Sequence, residues 1–239
     1  MLSALLGEFI GTAVLILLGN GAVANVLLAK SKGENSGWIV ITAGWGFAVM
    51  CGILVATAIG SPAHLNPIVT LGFVLAGSFP LAEAIPYALA QLLGAMVGAI
   101  LVYFAYLTHW RETQDPGLKL ACFCTGPAIA RPGPNLLTEA IGTFALMMLI
   151  FSLGSPNLAA LNLPGPVVVG FVVWSLGISL GGPTGYAINP ARDLGPRIVH
   201  SLLPIAGKSG SDWGYAYVPI FGPIIGAAVA SVLALMVIL

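Results

Sequence analysis

Charged side chains are scarce in this sequence, with 8 Lys and Arg and 8 Asp and Glu among 239 residues. Soluble domains carry about 25% charged residues, so a soluble enzyme is excluded. The two signs cancel, which leaves no basic surface for a nucleic acid. Cysteine is also rare: Cys51, Cys122 and Cys124 are the only 3. Three cysteines are too few for a disulfide framework. Their spacing, with no nearby His, predicts no metal site, and we expect no cofactor either.

Long hydrophobic runs are what the sequence has instead: 58% of its residues are hydrophobic, and its mean hydropathy is +1.01. A helix that crosses the hydrocarbon layer needs about 20 apolar residues. We therefore expect an all-α integral membrane protein with six transmembrane helices. The runs that are long enough lie at about 4–28, 38–59, 84–108, 136–155, 164–181 and 215–239.

Two further apolar segments, at about 67–77 and about 190–203, are too short to cross the bilayer. At about 1.5 Å per residue, each helix would reach only part of the way. Both begin at an Asn-Pro pair, Asn66-Pro67 and Asn189-Pro190. Short segments of this kind in corresponding places of two halves point to a site at the membrane midplane.

The two halves of the chain also resemble each other in sequence. Residues 7–12 are similar to 138–143, and residues 64–67 to 187–190. This pattern predicts an internal duplication, with a first repeat over 1–120 and a second over 121–239 that together form one channel domain. Because each repeat holds three spans, the second must be inverted relative to the first.

The Asn-Pro pairs have a chemical interpretation beyond two ordinary helix starts. Asn is a preferred N-cap, and Pro is favoured at the first helical position. We expect each amide oxygen to cap its own helix and each NH₂ group to stay free as a donor in a passage. The positive ends of the two half-helices would meet there and repel cations and hydronium.

The residues before each pair, at about 60–65 and 183–188, are too rich in Gly, Pro, Ser and Thr for regular helix. Irregular backbone at membrane depth must be buried or line a wet cavity, so we expect a ladder of carbonyl acceptors facing an apolar wall. Glu8 and Glu139, at matched positions, would brace these loops; a proton relay is the alternative. His64 would orient its loop or titrate as a gate.

Residues 7–12, 64–67 and 185–193 resemble the major intrinsic protein family, the aquaporins and glycerol facilitators, and the resemblance covers essentially the whole chain. It implies an aquaporin-like fold and a homotetramer with one pore per subunit. It also implies an outer constriction formed by Trp45, Gly177, Tyr186 and Arg192. The residues that would support the half-helices and loops are Glu8, His64, Pro67, Ile68, Glu139, Pro190, Ala191 and Asp193.

The residues of this constriction favour a polyol channel. Arg192 offers a fork of donors and repels cations, Trp45 and Tyr186 form an apolar corner, and Gly177 leaves width. The Tyr186 hydroxyl either narrows the passage or adds a hydrogen bond. Ile68, where the family usually has Ala, would lie where the half-helices touch. Similarity to the glycerol-conducting branch rests on Asp193, Arg197, Pro219 and Ile220, whereas Trp38, Trp110, Trp174 and Trp213 are expected at span ends or packing faces.

We therefore expect a passive channel for glycerol and water, and for dihydroxyacetone, lactic acid and hydrogen peroxide, that excludes ions. A strict water channel and a proton-coupled carrier are the alternatives, and no catalytic arrangement indicates an enzyme. The expected setting is a lipid bilayer, the bacterial plasma membrane, with both termini in the cytoplasm. Charge alone predicts the opposite orientation, because on this topology the outer loops hold Lys30, Lys32, Arg111, Lys119, Arg131 and Lys208.

Overall fold

The computed structural model describes residues 1–239, except for the side chain of Ala159, and it is built of helices and loops. No strand occurs in the described residues. The helices are α1 (Leu2–Leu27), α2 (Trp38–Ile59), α3 (Pro67–Leu75), α4 (Leu81–Ala105), α5 (His109–Glu112), α6 (Pro116–Ala121), α7 (Pro132–Leu153), α8 (Pro156–Ala159), α9 (Gly165–Leu180), α10 (Pro190–Leu202) and α11 (Val218–Val237).

Five of these helices, α1, α2, α4, α7 and α11, are long and apolar enough to cross a membrane. The sixth expected span, α9, has 16 residues, or about 24 Å at 1.5 Å per residue. Its ends explain its length, because Pro164 precedes the helix and Gly181, Gly182 and Pro183 follow it. The sequence therefore predicted the place of the sixth apolar helix, and its ends differ from the expected ones by one residue.

Two short helices, α3 and α10, begin at the Asn-Pro pairs. The Asn66 side chain accepts a hydrogen bond from the backbone N–H of Ile68, so Asn66 is the N-cap of α3. Asn189 caps α10 in the same way, through the N–H groups of Ala191 and Arg192. With 9 and 13 residues, these helices reach only part of the way through a hydrocarbon core of about 30 Å.

The long helices pack in two similar groups. In the first half α1 lies against α2 and α4, and in the second half α7 lies against α9 and α11, while α2 and α9 join the halves. Glycine permits the closest approaches: a β-carbon on Gly94 of α4 would collide with the Phe9 carbonyl of α1, and one on Gly226 of α11 with the Ala140 carbonyl of α7. Small residues at such crossings let membrane helices approach closely.

Candidate functional site: a cavity at the meeting point of two half-helices

A cavity of about 210 Å³ runs beside the start of both half-helices. Its apolar lining comes from α1, α2, α7 and α9, and includes Leu15, Val49, Ile53, Leu146, Ile150 and Val173. Its polar lining comes from the two loops that lead into α3 and α10, at residues 62–66 and 186–189. The wall is thus divided into an apolar part made by helices and a polar part made by exposed backbone.

The two loops have the same unusual backbone. Ala63 and Leu65 adopt positive φ of 59° and 52°, and Tyr186 and Ile188 adopt 39° and 42°. Each pair alternates with a residue of ordinary φ, and the two patterns are 123 positions apart in the sequence. Left-handed backbone is costly for residues other than Gly, by about 1–3 kcal/mol each, so it persists only where its surroundings enforce it.

This backbone leaves four carbonyl oxygens without a protein partner. The carbonyls of Ala63, His64, Tyr186 and Ala187 accept no hydrogen bond from the described part of the chain, and all four residues line the cavity. A backbone carbonyl away from water must find a donor. These oxygens are therefore available to the hydroxyl groups of a molecule inside the cavity.

Glu8 of α1 enforces the first loop. Its carboxylate accepts hydrogen bonds from the N–H groups of His64 at 2.9 Å and Leu65 at 2.7 Å, and from the Ser61 hydroxyl at 2.5 Å. The Gln91 amide of α4 adds a fourth donor at 2.8 Å. These bonds turn the loop's N–H groups towards the protein, which leaves its carbonyls to the cavity.

Glu139 of α7 makes the matching contacts in the second half. It accepts from the N–H groups of Ala187 at 3.0 Å and Ile188 at 2.9 Å, and from the Thr184 hydroxyl at 2.6 Å. Both carboxyl oxygens of this buried side chain are thus occupied by donors from the loop. The two halves use the same three kinds of donor at equivalent positions.

The paired asparagines link the two loops to each other. The Asn66 amide nitrogen donates to the Ile188 carbonyl at 2.8 Å, and that of Asn189 donates to the Leu65 carbonyl at 2.9 Å. We expected both NH₂ groups to stay free for the passage. That expectation was wrong for one hydrogen of each group, which is used in these bonds. An NH₂ group carries two donors, so one hydrogen of each remains for the cavity, which both residues line.

His64 also lines the cavity and lies in a group of aromatic rings. Its ring stacks on Phe73 with centroids 5.0 Å apart, and its Nδ1 lies 3.0 Å from the Thr70 hydroxyl. The same hydroxyl donates to the Asn66 carbonyl at 3.3 Å and accepts from the Gln91 amide at 3.2 Å, so the side chains of His64 and Gln91 both meet Thr70.

Trp45 and Arg192 both line the cavity and lie against each other. The guanidinium carbon of Arg192 is 3.9 Å from the centroid of the Trp45 ring, within the range of a cation–π contact. The ring rests on α1 at Gly19, where no side chain could fit. Arg192 also donates weakly, at 3.5 Å, to the Phe123 carbonyl. Trp45 is buried and lines the cavity.

The space beside Gly177 is already filled by the Tyr186 ring. A β-carbon on Gly177 would lie 2.7 Å from Cζ and 2.8 Å from the hydroxyl oxygen of that ring. The sequence suggested that Gly177 leaves width in the passage. In the structure the space beside Gly177 is instead taken by the phenol ring of Tyr186. The Tyr186 hydroxyl is buried and has no hydrogen-bond partner in the described residues.

Ile68 packs against the long helices of the second half. It belongs to a buried apolar cluster that includes Met147 and Phe151 of α7 and Ala227 of α11. Pro67 and Pro190 are the first residues of α3 and α10, and Ala191 follows Pro190 in the first turn.

The loop between α4 and α7 contributes residues that sequence reasoning missed. Asp193 accepts from the N–H and hydroxyl of Thr125 at 2.8 and 2.6 Å, and Arg197 binds the other carboxyl oxygen at 2.8 Å. Arg197 also donates to the Thr125 carbonyl, and Asn20 to the Phe123 carbonyl. The loop is therefore bonded into the site, and no sequence signal connects residues so far apart along the chain.

Within the described residues, no three His, Cys, Asp or Glu side chains lie together in a way that could hold a metal ion. The three cysteines are free thiols. Membrane-length helices around a cavity, into which two capped half-helices point, define a membrane channel of the aquaporin fold.

Comparison with known proteins places the chain in a family. The Major intrinsic protein family model matches residues 1–234, and the chain belongs to that family. A probable glycerol uptake facilitator protein of Thermotoga maritima is 59% identical over 226 residues, which covers 94% of this chain and 95% of that protein. A glycerol uptake facilitator protein of Streptococcus pneumoniae is 53% identical over 230 residues, 96% of this chain and 97% of that protein.

The solved structure of the aquaglyceroporin from Plasmodium falciparum has the same fold. It superimposes with a TM-score of 0.87 at 33% identity, over 99% of this chain and 96% of that one. The chain is therefore a multi-pass membrane protein of a family of channels and transporters, and the expected family and fold are confirmed.

Proposed function

We propose that the protein is a passive channel that conducts glycerol and water and excludes ions. The observation that carries the proposal is the divided wall of the cavity. A polyol has a carbon chain on one side and hydroxyl groups on the other, so its carbons match the apolar helices and its hydroxyls match the free carbonyls of the two loops. The names of the relatives in Thermotoga maritima and Streptococcus pneumoniae support glycerol as the solute.

In the proposed mechanism, Asn66 and Asn189 each present one amide hydrogen at the meeting point of the half-helices. A passing hydroxyl oxygen accepts these hydrogens, and the hydroxyl's own hydrogen donates to a loop carbonyl. Water oriented in this way has no continuous chain of hydrogen bonds along which a proton could move. Arg192 and the positive ends of α3 and α10 oppose cations.

We propose the remaining features on the same basis. Glu8 and Glu139 act as braces rather than as a proton relay, because their oxygens are occupied by loop donors. The chain has two inverted repeats, acts as a channel and not as an enzyme, and forms a homotetramer in the bacterial plasma membrane with both termini in the cytoplasm. Dihydroxyacetone, neutral lactic acid and hydrogen peroxide are further proposed solutes.

A strict water channel is the second candidate, and the Tyr186 ring favours it. The ring occupies the space beside Gly177, and Arg192 lies across Trp45 on the same constriction. With these contacts the passage is narrower than Gly177 alone implies.

Stopped-flow light scattering on proteoliposomes separates the two candidates. Vesicles with the protein should shrink rapidly in sucrose, and in glycerol they should shrink and then re-swell rapidly. Fast shrinkage without fast re-swelling would identify a strict water channel. Vesicles that respond like protein-free controls in both solutions would contradict both candidates.

A further inference from the structure

Trp38 touches the outer constriction without lining the cavity. It is the first residue of α2, and its indole Nε1 donates to the Gly177 carbonyl of α9 at 3.1 Å. Its ring meets that of Tyr186 edge to face, with centroids 6.1 Å apart and an interplanar angle of 79°. A β-carbon on Gly181 would lie 2.9 Å from Cζ2 of the same indole. Trp38 is thus in contact with both residues that form one wall of the constriction.

The Tyr186 ring depends on such contacts for its position. Its backbone φ is 39°, in the left-handed region that side-chain-bearing residues rarely adopt. Its hydroxyl is buried and has no hydrogen-bond partner in the part of the chain that the structure describes. Because no hydrogen bond fixes the ring, the neighbours against which it packs decide how far it extends into the passage.

We propose that Trp38 is a positioning residue of the outer constriction. It holds the Tyr186 ring and the backbone at Gly177 towards the cavity, and so determines how large a solute can pass between that ring and Arg192. The inference rests on the proposed polyol channel and adds to it a residue that sets size selectivity from outside the passage.

The direction of the effect follows from where Trp38 lies. The indole packs edge to face against the Tyr186 ring but is not among the residues that line the cavity, and it is 42% exposed at the start of α2. Removing the indole would take away this edge-to-face contact and open space outside the cavity into which the ring can turn. The ring would then move outward and widen the passage. Widening should raise the permeability of a solute that barely fits more than the permeability of a solute that already passes.

The experiment compares the permeability of erythritol, a four-carbon polyol, with that of glycerol in proteoliposomes. Trp38→Ala should raise the ratio of erythritol to glycerol permeability by about three- to tenfold, the factor that corresponds to the loss of one aromatic pair. Trp38→Phe keeps an aromatic ring but loses the N–H donor, so its ratio should rise by only about twofold. This milder variant provides the test if Trp38→Ala does not fold.

Trp174→Phe is the matched control. Trp174 is also an indole of this pair of helices, stacked on Phe171 of α9, but its Nε1 has no hydrogen-bond partner in the described residues and the residue does not line the cavity. Its erythritol-to-glycerol ratio should equal that of the wild type. Gel filtration and thermal melting in detergent would verify that each variant is folded.

The outcomes separate this inference from the proposed function. Wild-type protein that conducts glycerol, with folded Trp38 variants at the wild-type ratio, would contradict the role of Trp38 alone. An equal shift in Trp174→Phe would also contradict it, because the change would then be a general loosening of α9. Wild-type protein that does not conduct glycerol would contradict the proposed function, and this inference with it.

Discussion

At the scale of single residues, Arg192 carries a charge that no neighbouring carboxylate pairs with. Its side chain is only 7% exposed and forms no ion pair within the described residues. The adjacent Asp193 is bound instead by Thr125 and Arg197. The positive charge therefore acts on the cavity, where burial weakens its screening by water and salt.

Replacing Arg192 with Val should admit cations while the channel stays open to polyols. The substitution removes the charge and leaves no partner charge unpaired, so we expect the fold to be retained. Cation conductance of proteoliposomes should rise by about tenfold or more, which corresponds to a barrier lower by at least about 1.4 kcal/mol. Glycerol re-swelling should remain fast.

Arg111→Val is the control for this prediction, because Arg111 is exposed in α5 and does not line the cavity. It should change neither the conductance nor the re-swelling. An Arg192→Val channel that excludes cations as well as the wild type would show that the half-helix ends and the asparagines are sufficient for exclusion.

At the scale of elements, each loop of the cavity depends on one buried glutamate from a neighbouring helix. Three loop donors converge on Glu139, and two of them are backbone N–H groups. If these groups lost their acceptor they would be buried without a partner, which costs about 1–3 kcal/mol each. The loops therefore take their shape from tertiary contacts and have little preference of their own for it.

Glu139→Gln should destabilise the protein and slow conduction. The amide of Gln keeps one oxygen but places an NH₂ group against a loop N–H donor, so at least one donor is left unpaired. We expect a loss of about 2–4 kcal/mol, seen as a lower melting temperature in detergent, and slower glycerol re-swelling at equal protein content.

Glu83→Gln offers the comparison, since Glu83 lies in the first turn of α4 and does not line the cavity. Its melting temperature should stay close to that of the wild type. If Glu139→Gln melted like Glu83→Gln, the carboxylate would not be what holds the second loop.

The elements also show what sequence could predict. The capped half-helices and the loops before them followed from local rules, because Asn-Pro starts a helix and Gly, Pro and Thr interrupt one. The position of the Tyr186 ring did not, since it depends on Gly177, which is nine positions earlier in the chain, and on Trp38 of another helix. Local spacing carries no information about which glycine faces which ring. The bonds from Thr125 to Asp193 were missed for the same reason.

At the scale of the whole molecule, the two halves supply equivalent parts to a single cavity. Each gives a half-helix, a loop with free carbonyls, an asparagine and a bracing glutamate, and each asparagine binds the loop of the other half. The cavity can therefore exist only when both halves are in place. Repeated motifs in the sequence identify the equivalent half-helices, loops, asparagines and glutamates without any knowledge of distances, but they did not predict the bond from each asparagine to the opposite loop.

A molecule built in this way should transport by diffusion alone. The buried carboxylates, which a proton-coupled carrier would use, already bind loop donors with both oxygens. Protonating them would remove acceptors that the loops need, so a transport cycle that protonated them would disrupt the passage itself.

We expect glycerol flux that is linear in the concentration gradient, equal in rate in the two directions, and unchanged by a protonophore or an imposed pH gradient. Measuring initial rates in proteoliposomes over a wide range of glycerol concentration, with and without the protonophore, tests this directly. Rates that saturate and follow the pH gradient would mean that Glu8 or Glu139 carries protons, and that the bracing bonds break during transport.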